Sequence, residues 1–277
     1  LKPVAASATT GFCSPQNEVK LTWVCDGARI LLIFFQYFDS SRSPHKKLVS
    51  ASDPLQIIWK MNPAFPTALL EKVRQLKIIA VVVIDDANDA TPLARALLDG
   101  GISAIELTLR TPTAFESLRR IREQFPEMML GLGTVLTTEQ VDKAVAAGAA
   151  FAVAPGFNPN IVRAAKSAGL AFAPGIVTPS DIEGAAELEC NLLKFFPAEP
   201  SGGIAYLNSM SAPYAHLGLE YIPLGGLDEG NFTRYLSLKN VPAVGGSWIA
   251  PRDLIQKKDW STITANAQRA LDKSSTL

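Results

Sequence analysis

Cysteine and histidine are scarce in this chain. Three cysteines (Cys13, Cys25, Cys190) and two histidines (His45, His216) are scattered over 277 residues, and no Cys-x-x-Cys pair occurs. A metal site built on those ligands and a disulfide framework are both excluded at the level of motif. Charge bias is missing as well. Lys+Arg and Asp+Glu are both 26, so the basic excess that nucleic-acid binding leaves in a sequence is not there. The longest apolar run near the N-terminus, Ile30 to Phe35, is too short to cross a bilayer. These absences leave a soluble protein of reducing cytoplasm as the expectation.

What is present is apolar substance: 48% hydrophobic residues, enough for one large core. The first 60 residues stand apart. They show no helix- or strand-length pattern, cluster serine, proline and lysine in "DSSRSPHKKLVSASDP", and hold seven Lys/Arg against four Asp/Glu. All four methionines lie at or after position 61. The reading is therefore an N-terminal extension over 1–60, disordered or not native, with Met61 as the natural start and one domain over 61–277. A targeting peptide is the competing reading. Against it, the apolar run comes late and acidic residues are present.

From Phe65 onward short apolar runs alternate with amphipathic stretches. The runs are 78–84, 102–109, 128–133, 151–155, 171–175, 192–196, 220–226 and 241–246. Several of the stretches between them, such as "TTEQVDKAVAAGA" and "NPNIVRAAKSAGL", open on Asp, Thr or Asn and close at Gly, as capped helices do. Eight strands alternating with helices predict an α/β fold, a (β/α)8 TIM barrel with an N-terminal helix. A doubly wound open sheet is the alternative, but no GxGxxG follows its first strand.

Side-chain alternation then locates charge. In "AIELTLR", Glu106, Thr108 and Arg110 share one strand face while Ile105, Leu107 and Leu109 share the other. In "NLLKFFPAE", Leu192, Lys194 and Phe196 share a face, opposite Leu193 and Phe195. With helices covering the apolar faces, Glu106, Arg110 and Lys194 are expected to enter the barrel interior. A structural ion pair is one reading of Glu106 and Lys194, although such pairs rarely stabilise more than apolar packing would. The other reading is chemical. Apolar walls penalise the ammonium form and leave an amine able to attack a carbonyl, with a carboxylate across the cavity to carry protons. Arg110, a planar fork of donors, suits a carboxylate.

Glycine pairs end the seventh and eighth runs: Gly225 and Gly226 in "PLGG", Gly245 and Gly246 in "VGGSW", the latter followed by Ser247. At those strands, backbone N–H groups can approach a phosphate; caps for the following helices would use the same residues. Thr134 in "GLGTVL" could hold a substrate carboxylate or cap a helix, and Thr137 and Thr138 are the better caps. Pro155 and Pro174, each in an "APG", read as rigid strand-ending turns; Pro155 is also a substrate-binding candidate.

The motifs "IELTLRT", "GTVL", "APG", "PGIVT", "LKFFPAE", "GG" and "GGSW" occur in this order at strand ends over residues ~65–272. Together they resemble the bifunctional KDPG/KHG aldolases, class I lyases of (β/α)8 architecture that assemble as homotrimers. The resemblance implies cleavage of 2-keto-3-deoxy-6-phosphogluconate to pyruvate and glyceraldehyde 3-phosphate in the Entner–Doudoroff pathway, and of 4-hydroxy-2-oxoglutarate to pyruvate and glyoxylate. It implies that Lys194 forms the Schiff base and Glu106 acts as general acid/base. Arg110 and Thr134 would hold the pyruvyl carboxylate, and Phe196 would pack on the pyruvyl group. Gly225, Gly226 and Ser247 would bind the phosphate or the distal end. No metal or other cofactor is needed, and no nucleic acid or membrane partner is expected.

Three positions depart from the commoner pattern: Leu224 in place of Thr, Val177 in place of Ser and Leu132 in place of a small residue. The pyruvyl half of the site is intact, so a galactonate-derived phosphate or an unphosphorylated 2-oxo acid remains open as substrate. Two readings of other classes stand beside the aldolase: a barrel that binds or regulates without catalysis, and an isomerase or synthase using Glu106 as base with no imine.

Overall fold

The computed structural model describes residues 63–276 in full and, ahead of them, the backbone of three strands: β1 (Ala5–Ala6), β2 (Val19–Asp26) and β3 (Arg29–Tyr37). The chain divides into two compact units, Leu1–Ile58 and Trp59–Leu277. In the first, β1, β2 and β3 form an antiparallel sheet in that order, with a register shift at Val24/Cys25. The sequence reading finds no strand there. It passes over an Asp26-Gly27 pair between two runs rich in β-branched and aromatic residues, a hairpin signal. The expected disorder or non-native origin of the rest of 1–60 lies outside the described residues.

The second unit begins with α1 (Thr67–Leu76) and proceeds by strands alternating with helices, except that β8 runs into β9. The eight apolar runs become β4 (Ile78–Val82), β5 (Ala104–Thr108), β6 (Met129–Gly133), β7 (Phe151–Val153), the pair β8 (Ala171–Ala173) and β9 (Gly175–Ile176), β10 (Leu192–Phe195), β11 (Glu220–Pro223) and β12 (Val244–Gly246). The intervening helices include α2 (Ala90–Asp99), α3 (Ala114–Gln124), α4 (Thr138–Ala147), α5 (Pro159–Ser167), α6 (Pro179–Glu187), α7 (Gly203–Ser211), α8 (Phe232–Leu236), α9 (Arg252–Gln256) and α10 (Trp260–Ser274).

All ladders of this unit are parallel. One sheet runs β12-β4-β5-β6-β7-β8 and the other β11-β10-β9. Only Pro174 separates β8 from β9. Proline has no N–H to donate, but its carbonyl accepts from Lys194 N–H at 2.8 Å, carrying the pairing from one sheet to the other. The result is an α/β unit with a curled parallel sheet. Helix starts follow local chemistry: Thr137 and Gln140 form a capping box at α4, Thr178 and Asp181 another at α6, and Asn158 caps α5 ahead of Pro159.

Strand alternation sorts the apolar residues into two cores. Ile105, Leu107, Leu130, Leu132, Leu193 and Phe195 pack with the helices. Ile79, Ala104, Met129, Phe151, Leu192, Ile222 and Leu224 pack within the curl. Phe65, Leu70 and Val73, at and within α1, join this inner core, with Phe65 against Phe151 at 6.3 Å between ring centroids. Since Phe151 opens β7, α1 seals the end at which strands begin and leaves the other end for chemistry. Among the described residues, no helix is long and apolar enough to cross a membrane.

Candidate active site

Lys194 and Glu106 meet inside the curl. Lys194 lies on β10 and shares the parity of Leu192; Glu106 lies on β5 and shares that of Ala104, both inner-core residues. Lys194 Nζ donates to Glu106 Oε1 at 2.8 Å, and the two residues are 6% and 3% exposed. Removing both groups from water is costly, and their mutual contact offsets part of that cost. The expectation that alternation drives both inward is met. The Phe196 ring lies under the amine, its centroid 5.4 Å from Nζ.

Space for the pair comes from a glycine. A Cβ on Gly133 would stand 2.1 Å from Glu106 Oε1. Gly131, two residues earlier, likewise makes room for the Phe151 ring, 2.2 Å from where its Cβ would stand. Thr108, next inward on β5, is buried and donates its hydroxyl to the Val82 carbonyl at 3.2 Å. It braces the strand that carries Glu106.

Arg110 departs from expectation. Strand β5 ends at Thr108, and Arg110 N–H donates to the Thr108 carbonyl at 2.8 Å, so the chain turns before alternation can carry Arg110 inward. Its side chain is exposed at the mouth. Two hydroxyls fix this turn: Thr111 and Thr113 each donate to the Ile84 carbonyl at 2.6 Å. Thr134 follows β6 on the neighbouring strand end, joined to β5 through Leu109 N–H and the Gly133 carbonyl at 2.8 Å. Its φ is +62°, a genuine outlier for a β-branched residue. Because Thr137 caps α4, Thr134 is not the cap.

Gly225 and Gly226 follow β11 at φ +92° and +80°, which only glycine adopts at no steric cost. Gly225 approaches Phe196: a Cβ there would lie 3.1 Å from the ring. Ser247 is exposed just beyond β12. Pro155 is half-buried, with its backbone against Gly175, whose Cβ would lie 2.2 Å from the Pro155 carbonyl carbon. That contact accounts for Pro155 as a turn and for the glycine facing it. Lys194, Glu106, Phe196 and Gly225 are thus brought into one cluster, while Arg110, Thr134, Pro155 and Ser247 stand at strand ends around the same mouth.

The departures also separate. Leu132 faces the helices, away from the site. Val177 engages Asp181 through its N–H and Tyr206 through its carbonyl. Only Leu224 belongs to the inner core, its side chain 2.5 Å from where a Cβ on Gly245 would stand. Sequence reasoning missed Gly133 and Gly175, because their role is the space they leave, and the Glu199–Tyr235 hydrogen bond, which joins residues 36 positions apart. Among the described residues no cluster of His, Cys, Asp and Glu could hold a metal ion.

Known proteins are similar to this chain in sequence and in fold. The family model described as KDPG and KHG aldolase matches residues 69–266. A 2-dehydro-3-deoxy-phosphogluconate aldolase of Treponema pallidum is 41% identical over 203 residues, 73% of this chain and 96% of that protein. A KHG/KDPG aldolase of Escherichia coli K12 is 35% identical over 195 residues, 70% and 91% of the two chains. The crystal structure of KDPG aldolase from Legionella pneumophila, with pyruvate captured as a covalent carbinolamine, superposes with a TM-score of 0.69 at 38% identity, covering 73% and 97%. On these matches, which span nearly the whole of the relatives, the chain belongs to the KDPG and KHG aldolase family.

Proposed function

We propose that this protein is a class I aldolase that cleaves 2-keto-3-deoxy-6-phosphogluconate to pyruvate and glyceraldehyde 3-phosphate, and 4-hydroxy-2-oxoglutarate to pyruvate and glyoxylate. The observation that carries the reading is the buried contact of Lys194 Nζ with Glu106 Oε1 at 2.8 Å. An amine that must become a nucleophile needs a base beside it, and here one is in hydrogen-bond reach.

The chemistry runs as follows. Glu106 takes a proton from the Lys194 ammonium, and the amine adds to the C2 ketone. Loss of water gives an iminium, which withdraws electrons from C3. Glu106, directly or through a water, removes the C4 hydroxyl proton; the C3–C4 bond breaks, the aldehyde leaves and its electron pair forms an enamine. Protonation at C3 and hydrolysis release pyruvate and the free amine. Arg110 and Thr134, on adjacent strand ends, hold the pyruvyl carboxylate, and Phe196 packs on the pyruvyl carbons. The Gly225–Gly226 turn and Ser247 take the distal phosphate. No step calls for a metal.

Around this site we infer a sheet closed as an eight-stranded barrel, a homotrimeric assembly and a cytoplasmic location. Closure is supported by the Tyr221 N–H on β11 donating to the Asn240 carbonyl at 2.8 Å, in the segment that leads into β12. One observation favours a narrower substrate range. Leu224 puts a buried apolar side chain beside the distal turn, where it offers no hydrogen bond to a sugar-phosphate, so the unphosphorylated 4-hydroxy-2-oxoglutarate is the second reading.

Borohydride reduction in the presence of pyruvate, followed by peptide mass spectrometry, tests the proposal. A reduced pyruvyl adduct on the peptide containing Lys194 supports it. Folded protein with no adduct there would overturn it in favour of a non-covalent isomerase or a binding barrel.

A further inference from the structure

The turn that follows β11 does not stand alone. Ala198 N–H donates to the Leu224 carbonyl at 2.7 Å, and Glu199 N–H donates to the Gly225 carbonyl at 3.0 Å. Residues 198–199 continue directly from β10, the strand of Lys194. The backbone that carries the amine is therefore zipped to the backbone of the distal turn. Side chains add a second fastening. Tyr235, on α8 downstream of the turn, donates its hydroxyl to Glu199 Oε1. The Glu199 stem is pressed on Gly226, whose Cβ would stand 2.6 Å from that of Glu199. Gly203, at the start of α7, leaves the pair room, with its Cβ position 3.3 Å from the Tyr235 hydroxyl and 3.4 Å from Glu199 Oε1.

Neither residue has a part in the covalent chemistry, and Glu199 brings a negative charge next to a turn assigned to a phosphate. A carboxylate there is tolerable only if its charge is turned away and engaged. Tyr235 is fully buried; burial, and then its bond to Glu199, push the phenol well above its ordinary range. The phenol is thereby kept in its donor form beside the carboxylate.

We propose that the Tyr235–Glu199 hydrogen bond is a positioning clamp: it fixes the Gly225–Gly226 turn at a set distance from Lys194 and thereby selects substrates with a distal phosphate. The inference rests on the aldolase reading above. Loss of the clamp loosens a turn that touches only the far end of the substrate, so it weakens binding of the phosphorylated substrate and spares the amine.

The test is a comparison of two substrates across four proteins: wild type, Tyr235→Phe, Glu199→Ala and Glu199→Gln. Tyr235→Phe and Glu199→Ala are expected to raise KM for 2-keto-3-deoxy-6-phosphogluconate about tenfold, with KM for 4-hydroxy-2-oxoglutarate and pyruvate trapping at Lys194 unchanged. Glu199→Gln keeps an acceptor for the phenol and is expected to restore the wild-type KM. The double variant Tyr235→Phe/Glu199→Ala should be no worse than either single one, as for two halves of one interaction. An equal rise for both substrates, no rise for either, or a Glu199→Gln enzyme as impaired as Glu199→Ala overturns the clamp. Circular dichroism separates these from misfolding. Wild-type protein that traps no pyruvate overturns the aldolase reading, and the clamp with it.

Discussion

Gly133 stands against Glu106: any β-carbon added to Gly133 would lie 2.1 Å from the carboxylate oxygen that accepts from Lys194. The neighbour that would have to yield is the reactive end of a buried group with a fixed partner, so it cannot move without losing that partner. Gly133→Ala is therefore expected to leave a folded protein whose kcat falls about 100-fold, the scale at which a misplaced catalytic group costs rate. Pyruvate trapping should survive, slowed. An alanine variant with wild-type kcat would show that the carboxylate has freedom the packing denies it.

The ion pair makes a different prediction about stability. Lys194→Ala is expected to abolish turnover, but it also strands the Glu106 carboxylate in the inner core. Breaking one side of a buried pair costs about 3–5 kcal/mol. Adding Glu106→Gln should recover much of that loss, since the amide carries no charge, while activity stays absent. Glu106→Gln alone should slow proton transfer yet still permit the imine. Urea unfolding of the three variants checks the order. If Lys194→Ala is as stable as wild type, the pair is not desolvated in the way its burial implies.

Much of this was legible before any coordinates. Period-two alternation located Lys194 and Glu106 on inward faces because β5 and β10 are regular through those residues. It failed at Arg110, two residues past the end of β5, where a backbone turn breaks the alternation. All eight apolar runs hold strands, and the strand of the seventh ends at Pro223, with only Leu224 between it and the positive-φ pair Gly225 and Gly226. The space left by Gly133 and Gly175, and the Tyr235–Glu199 bond, depend on pairs brought together only by the fold. No local pattern encodes them. In the first 60 residues the local signal is there: Asp26-Gly27 lies where β2 turns into β3, a hairpin that the expectation of no strand-length pattern leaves out.

At the edge of the mouth, Arg252 donates to both Asp85 oxygens, at 2.9 and 2.5 Å, and Gln256 adds a third bond at 2.8 Å. The Arg252 contact, then that of Gln256, lower the Asp85 carboxyl from 3.8 to about 2. A depressed carboxyl contributes stability that is present above its unfolded value and is lost as pH falls from 3.8 through about 2. Both side chains are partly exposed, so solvent screening limits the contribution to about 1 kcal/mol or less. Asp85→Asn is expected to lower Tm at pH 7 by a few degrees at most, with the difference from wild type closing below pH 2. A gap that persists unchanged at that pH would assign the loss to packing instead of charge.

Thr134 sets stability against function. Its φ of +62° places a β-branched side chain in the left-handed region, which costs about 1–2 kcal/mol relative to an unstrained residue. Glycine relieves that strain but loses more backbone entropy on folding, about 0.5–1 kcal/mol. The net expectation for Thr134→Gly is a Tm equal to wild type or higher by a few degrees. The hydroxyl, however, is the group assigned to the pyruvyl carboxylate, and the glycine lacks it. KM for pyruvate in the condensation direction should therefore rise about tenfold, the loss expected for one hydrogen bond to a charged group. Thr134→Ser keeps the hydroxyl and drops only the branch, so it should hold KM near wild type. A Thr134→Gly protein with lower Tm would remove the strain argument. One with unchanged KM would remove Thr134 from the carboxylate site and leave Arg110 to hold it alone.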